Sequence, residues 1–276
     1  MSRKLAPLKT ILIAFAFYLC FQQASPVSAG INIWTTNGPE GGFITALAID
    51  PSAPSKMYAG SNGGGVFRSM SGGATWTAVN NGLTDLSINT LAIDPLTPAT
   101  LYAGTNSGGV FKSTDYGANW NPMNTGLPSF ASMALAIHPA TPSILYDATR
   151  AHGVYKSTDG GGSWSPATTG ISNPDIRSLA MDPSKPDTLY AGTDNAEVFT
   201  TTNGGGSWKS ASTGLPDEVI LSLAIDPVTT TTLYAGTNSA GVYKSTNSGG
   251  NWLPANNGLT ATRIGGSPSA CQAIAW

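Results

Sequence analysis

Ser157–Trp164 reads STDGGGSW. The stretch returns at a fixed interval. Its tryptophan is Trp76, Trp120, Trp164, Trp208 and Trp252, each 44 residues after the last. A strict period of that size means one supersecondary unit copied and stacked, so the repeat is the unit of folding.

One full copy, Ile88–Leu127, reads INTLAIDPLTPATLYAGTNSGGVFKSTDYGANWNPMNTGL. It holds four short apolar runs separated by turn signals. Run A is Ile88–Ile93, ended by Asp94-Pro95, and run B is Thr100–Gly104, ended by Asn106 and Gly108-Gly109. Run C is Val110–Ser113, ended by the Asp115–Gly117 turn, and run D is Asn119–Met123, ended by Asn124 and Gly126. Strands of this length bounded by Gly, Pro, Asn and Asp are the all-β signature. Four strands in 40–45 residues is the spacing of a β-propeller blade. The gly- and pro-rich composition and the lack of a 3.6-residue apolar pattern exclude a helical solenoid. A flat β-solenoid is the competing architecture, but its repeats are usually shorter.

The register holds along the chain. The Asp-Pro position is Asp50, Asp94, His138, Asp182 and Asp226, and the run-B tyrosine is Tyr58, Tyr102, Tyr146, Tyr190 and Tyr234. The expected architecture is therefore all-β: five complete blades near 44–82, 88–126, 132–170, 176–214 and 220–258, plus an incomplete sixth. Asn32–Asn37 fits a lone run D ahead of blade one, and Ile264 starts a run A whose pattern fails in the divergent tail at 264–276. That count predicts a shortened member of a longer propeller family. An open ring would expose apolar blade faces and favour self-association.

The C–D hairpin needs backbone at positive φ, which Gly117, Gly161, Gly205 and Gly249 supply without strain. The residue two after the serine can accept hydrogen bonds from turn amides. The tryptophan is then free to bury its ring, expected here against the next blade. The pattern Ser/Thr-x-Asp-x-Gly-x-x-Trp resembles the Asp-box, or bacterial neuraminidase repeat. Ser113–Trp120 and Ser157–Trp164 match it fully. Asn203 and Asn247 replace the acid in two copies, and Ser71 replaces it in the copy ending at Trp76. The resemblance covers Thr45–Leu259. Proteins with this repeat include sialidases, xyloglucan-degrading glycoside hydrolases, sortilin-like receptors and the photosystem II stability/assembly factor. The LYAGT…GGVFKSTDGG wording looks most like the last group and its uncharacterised bacterial relatives, including YVTN/BNR-like repeat proteins. What this implies is a propeller, not a reaction. Asp115 and Asp159 read as turn acceptors, because Ser71, Asn203 and Asn247 can accept a hydrogen bond but cannot serve as a carboxylate acid.

Residues 1–29 read as a secretory signal. Arg3, Lys4 and Lys9 precede the apolar run Ile11–Cys20, and Val27-Ser28-Ala29 fits a cleavage site. The mature chain, about 247 residues, would then be secreted, periplasmic or at the cell surface, with no membrane contact of its own. Without the three basic residues of that signal, ten basic groups stand against fifteen acidic ones, a net of −5. No basic block appears, which argues against nucleic acid as a partner. Cys271 is the one cysteine after the signal, so neither an internal disulfide nor a cysteine-based metal cluster is expected, and no cofactor is implied.

In an up-and-down blade the A–B and C–D turns share one face, while the B–C and D–A turns share the other. The second face carries the departures from consensus. Blade three has Thr149-Arg150-Ala151-His152-Gly153 in its B–C turn, preceded by Asp147 where other blades have alanine. Blade four has Asp194 and Glu197. The D–A turns add Asp85, Phe130, Asp175, Asp217 and Glu218, with Arg177 just inside run A. Ionisable and aromatic residues on loops that otherwise use Gly and Asn are binding candidates. Arg150 and His152 are expected to face Asp194 and Glu197.

Only Arg68, Arg150, Arg177 and Arg263 follow the signal, and Arg68 aligns with Lys112, Lys156 and Lys244, which is too few for a sialidase-type arginine cluster. The carboxylates of this face could form a glycosidase pair, but no motif marks one. The expected function is a non-catalytic binding or scaffold module for a protein or glycan. The alternative is a xyloglucanase-like or sialidase-like glycoside hydrolase.

Overall fold

The computed structural model describes residues 38–39, 43–128, 131–260 and 262. The chain divides into two compact units, Met1–Thr36 and Asn37–Trp276, and every described residue lies in the second. The signal, the lone run D and the divergent tail read from the sequence lie outside the described residues.

Five four-stranded antiparallel sheets follow one another in sequence order, with no helix among the described residues. Blade one is β1 (Ile44–Ile49), β2 (Met57–Ser61), β3 (Gly65–Ser69) and β4 (Thr77–Ala78). Blade two is β5 (Ile88–Ile93), β6 (Leu101–Thr105), β7 (Val110–Ser113) and β8 (Asn121–Pro122). Blade three is β9 (Ser132–Ile137), β10 (Leu145–Thr149), β11 (Gly153–Ser157) and β12 (Ser165–Pro166). Blade four is β13 (Ile176–Met181), β14 (Leu189–Thr193), β15 (Val198–Thr201) and β16 (Lys209–Ser210). Blade five is β17 (Ile220–Ile225), β18 (Leu233–Thr237), β19 (Val242–Ser245) and β20 (Leu253–Pro254).

The core lies in the seams between consecutive blades. Tyr58, Val66 and Val79 of blade one pack with Ile88, Leu101, Phe111 and Trp120 of blade two. The same positions recur at the next three seams. Each blade thus buries both faces only by having neighbours, which is why a single copy would not fold alone.

The tryptophans pack against the preceding blade, not the following one as the sequence suggested. Trp120 Nε1 donates to Val79 O, Trp164 to Met123 O, Trp208 to Ala167 O and Trp252 to Ala211 O, at 2.7–2.8 Å. Their backbone amides also leave their own sheet. Trp164 N donates to Thr125 O, and Trp120, Trp208 and Trp252 do likewise across their own seams. Run D is shortened to two paired residues for this reason: its first residues hydrogen-bond to the blade before it. The tryptophan therefore works as a hook cast backwards.

The hairpin ahead of each hook is held by its Asp-box. Asp159 Oδ1 accepts from Ser163 N and from Ser157 Oγ, while Ser157 Oγ in turn accepts from Gly161 N. Ser163, through its side chain and then its amide, together with Ser157, pulls the Asp159 carboxyl down to about 2. Asn203 Oδ1 accepts from Ser207 N, Asn247 Oδ1 from Asn251 N and Ser71 Oγ from Thr75 N, so three neutral groups do the same work. His138 behaves alike in the A–B turn. Its Nδ1 accepts from Ala140 N and Thr141 N, as Asp94 Oδ1 does from Leu96 N and Thr97 N. We expect Asp159→Asn to leave the denaturation midpoint near pH 7 almost unchanged. Asn203 Nδ2 already donates to Ser207 Oγ in the geometry the variant would adopt. A large drop in midpoint by chemical denaturation would refute the acceptor role.

One buried position breaks the repeat. Blade three has Asp147 where the other blades have Ala59, Ala103, Ala191 and Ala235, and it is fully buried in β10. Its Oδ1 accepts from Ser132 Oγ at 2.6 Å, and Oδ2 has no hydrogen-bond partner among the described residues. Ser132 stands where the other blades have Ile44, Ile88, Ile176 and Ile220. The two departures are therefore one coupled change. Burial pushes the Asp147 carboxyl up to about 8, against the pull of the Ser132 hydroxyl.

Candidate binding face

The B–C turns are built on a short polar lock. Thr105 Oγ1 donates to Gly109 O and accepts from Gly108 N, and Ser61, Thr149, Thr193 and Thr237 make the corresponding bond to the residue four later. Behind the turn, Asn124 Oδ1 accepts from Val110 N while its Nδ2 donates to Gly108 O. This asparagine lies against Gly109, whose positive φ of 82° suits glycine. Blade four solves the same problem differently. Glu197 replaces the glycine, Ser212 replaces the asparagine, and Ala196 takes the left-handed conformation at φ 62°.

The D–A turns reach over to these B–C turns and tie them down. Asp85 Oδ2 accepts from Ser107 N, Ser107 Oγ and Gly108 N. Burial raises the Asp85 carboxyl, but those bonds and one from Ser87 N together hold it below its ordinary value. Ser172 Oγ donates to Glu197 Oε2 at 3.1 Å, and Ser239 Oγ donates to Glu218 Oε1. These variable acids thus brace neighbouring turns. Asp217 is exposed.

The densest cluster lies where blades three and four meet. Arg177 is the extra residue of a β-bulge in β13, at the position of Thr45, Asn89, Met133 and Leu221 in the other blades. A bulged residue leaves the ladder, which is how a charged side chain can occupy an otherwise apolar or neutral position. Its guanidinium sits between two carboxylates: Nε lies 3.2 Å from Asp175 Oδ1 and Nη2 lies 2.9 Å from Asp194 Oδ1. Asp194 N also donates to Asp175 O, joining the two turns through the backbone. Burial raises the Asp175 carboxyl; Arg177 opposes this, Asp194 adds to it, and Arg150 opposes it. Arg150 is thus close enough to be felt, yet among the described residues no hydrogen bond or ion pair engages its guanidinium, and it is exposed. His152 Nδ1 contacts Arg150 O at 3.1 Å, with its ring exposed. The structure therefore brings Arg150, Asp175, Arg177 and Asp194 together. It pairs Asp194 with Arg177, where the sequence had suggested Arg150, and ties Glu197 to Ser172. Phe130 lies outside the described residues. Among those residues no group of acids, histidines and cysteines could hold a metal ion.

A family model described as Sortilin, neurotensin receptor 3 (Sortilin-Vps10) matches residues 152–271. No curated protein matches the chain. Among solved structures, an ancestral GH74 enzyme is similar over 85% of this chain and 34% of its own, at 22% identity and a TM-score of 0.69. A Niastella koreensis GH74 enzyme is similar over 75% of this chain and 38% of its own, at 23% identity and a TM-score of 0.64. YCF48 bound to a D1 peptide is similar over 76% of this chain and 65% of its own, at 14% identity and a TM-score of 0.53. The fold is that of a β-propeller. The chain spans little more than a third of the length of the two GH74 enzymes.

Proposed function

We propose that this chain is an exported, non-catalytic propeller module that binds a protein segment or a glycan on its B–C/D–A face. The observation that carries the reading is the use made of the carboxylates there. Asp175 and Asp194 share one arginine, and Asp85, Glu197 and Glu218 accept hydrogen bonds from neighbouring turns. Carboxylates spent as braces support a rigid presenting surface better than an acid–base pair. Exposed Arg150 and His152, above a braced charge cluster, then offer a donor and an aromatic ring to a ligand. The likeness to a peptide-bound YCF48 makes an extended protein segment the first class to test. The likeness to GH74 enzymes favours a second reading, a glycoside hydrolase working from the same face.

Arg150→Ala combined with Glu197→Ala should abolish binding in a peptide and glycan array while leaving the circular dichroism spectrum and melting temperature close to those of the parent. Retained binding in that variant, with loss on changing Asp115 instead, would move the site to the Asp-box face. A reducing-sugar assay on xyloglucan separates the two readings: product release that Asp175→Asn abolishes would establish the hydrolase.

A further inference from the structure

We propose that the seam between blades four and five is a binding site for a primary alkylammonium group, on the Asp-box face opposite the face discussed above. The argument starts from how the other seams are closed. Lys112 Nζ lies 5.3 Å from the centroid of Tyr102 and donates to Gly160 O in the next blade at 3.0 Å. Tyr102 Oη donates to the same carbonyl at 3.1 Å. The following seam repeats this with Lys156, Tyr146 and Gly204 O, at 5.3, 3.1 and 3.1 Å. At the first seam Arg68 Nη1 donates to Tyr116 O at 3.0 Å. The first three seams therefore each hold a cation, taken from the third strand of the earlier blade, on an Asp-box carbonyl, and in the two lysine seams it also lies over a tyrosine ring.

The third strand of blade four supplies no cation. Thr200 stands in the register of Arg68, Lys112, Lys156 and Lys244, paired across the strands with Tyr190. The rest of the receptor is intact. Tyr190 is buried, and its Oη reaches Ser248 O only at 3.4 Å. The two groups a lysine would engage are open to solvent-sized space: a cavity of about 560 Å³ is lined by Tyr190, Ser248, Asp182, Asp187, Thr202 and Thr231 among others, while Thr200 lies buried behind Tyr190. Asp182 is 4% exposed, Asp187 is exposed, and Lys185, which also lines the cavity, offsets one of the two charges. An aromatic face, a carbonyl and a net negative lining are the elements that recognise an ammonium ion. The neutral lining hydroxyls of Thr202 and Thr231 add further acceptors. A short alkylammonium entering the cavity would meet the same two partners, the Tyr190 ring and Ser248 O, from its open side.

The test uses the full chain and propylammonium chloride. In amide-resolved NMR titrations, propylammonium should produce saturable shifts at Tyr190, Thr202, Thr231 and Ser248. 1-Propanol, equal in size but neutral, should produce none there. Thr200→Lys places the protein's own ammonium in the seam and should weaken those responses at least tenfold while raising the melting temperature. Thr200→Arg, which copies Arg68, serves the same purpose if the lysine variant folds poorly. Responses to 1-propanol equal to those of propylammonium, or undiminished binding in the substituted chains, would overturn the proposal, as would the absence of any saturable shift. Parallel titrations with N-acetyl-lysine methylamide and 1,4-diaminobutane separate the sources. Tighter binding of the capped lysine assigns the site to a partner's lysine side chain, and tighter binding of the diamine assigns it to a free polyamine; either result supports the site.

Discussion

Asp147→Asn should change how stability depends on pH more than any other single substitution. In the unfolded chain this carboxyl titrates near 3.8, whereas burial raises it to about 8 in the folded protein. Between those values the folded state holds a proton that the unfolded state has released. Stability therefore falls as pH rises through that window, and levels off above it and below it. At about 1.4 kcal/mol per pH unit, the loss attributable to Asp147 between pH 4 and pH 7 is on the order of 4 kcal/mol. Asparagine keeps the shape and can still accept from Ser132 Oγ, but it cannot ionise. The gap between variant and parent should thus widen by that amount over those three units, read from urea midpoints. Parallel slopes for the two proteins would show that Asp147 finds a partner or solvent that its burial excludes.

Trp164→Ala should destabilise the protein by about 3–5 kcal/mol, the cost of truncating a buried aromatic. Trp164 is 4% exposed, packs with Tyr102, Val110 and Leu145, and donates from Nε1 to Met123 O at 2.8 Å. Removing it leaves a cavity and a carbonyl without its donor, so that only the backbone bond from residue 164 N to Thr125 O still ties the start of run D to blade two. The effect should far exceed that of Asp159→Asn in the same hairpin. Equal effects would mean that the turn, not the hook, carries the seam. The loss should also be felt as reduced cooperativity between blades, because the hook joins one repeat to its predecessor.

The blades were legible in the sequence because a 44-residue period carries strand, turn and hook together in register. Runs A and C are placed as the alternation of Ile88–Ile93 and Val110–Ser113 demands. The acceptor role of the Asp-box could also be read directly. Asn203, Asn247 and Ser71 in register with Asp115 and Asp159 leave hydrogen-bond acceptance as the one property they share. The candidate face was legible as a set of departures from consensus at Arg150, Arg177, Asp175 and Asp194, since topology alone sends those turns to one side.

What only the tertiary structure decided is direction and pairing across the seams. A repeat looks the same read forward or backward, so the sequence could not say that each tryptophan reaches back to the blade before it. That choice is made by the carbonyls of Val79, Met123, Ala167 and Ala211, which stand 41 residues earlier and are brought near by blade stacking. Likewise a β-bulge, which recurs at the same position in all five blades, sets Arg177 between Asp175 and Asp194. Thr200 is a modest substitution on paper. Only the fold shows that it stands beside Tyr190, whose hydroxyl reaches Ser248 O of the next blade at the edge of a cavity.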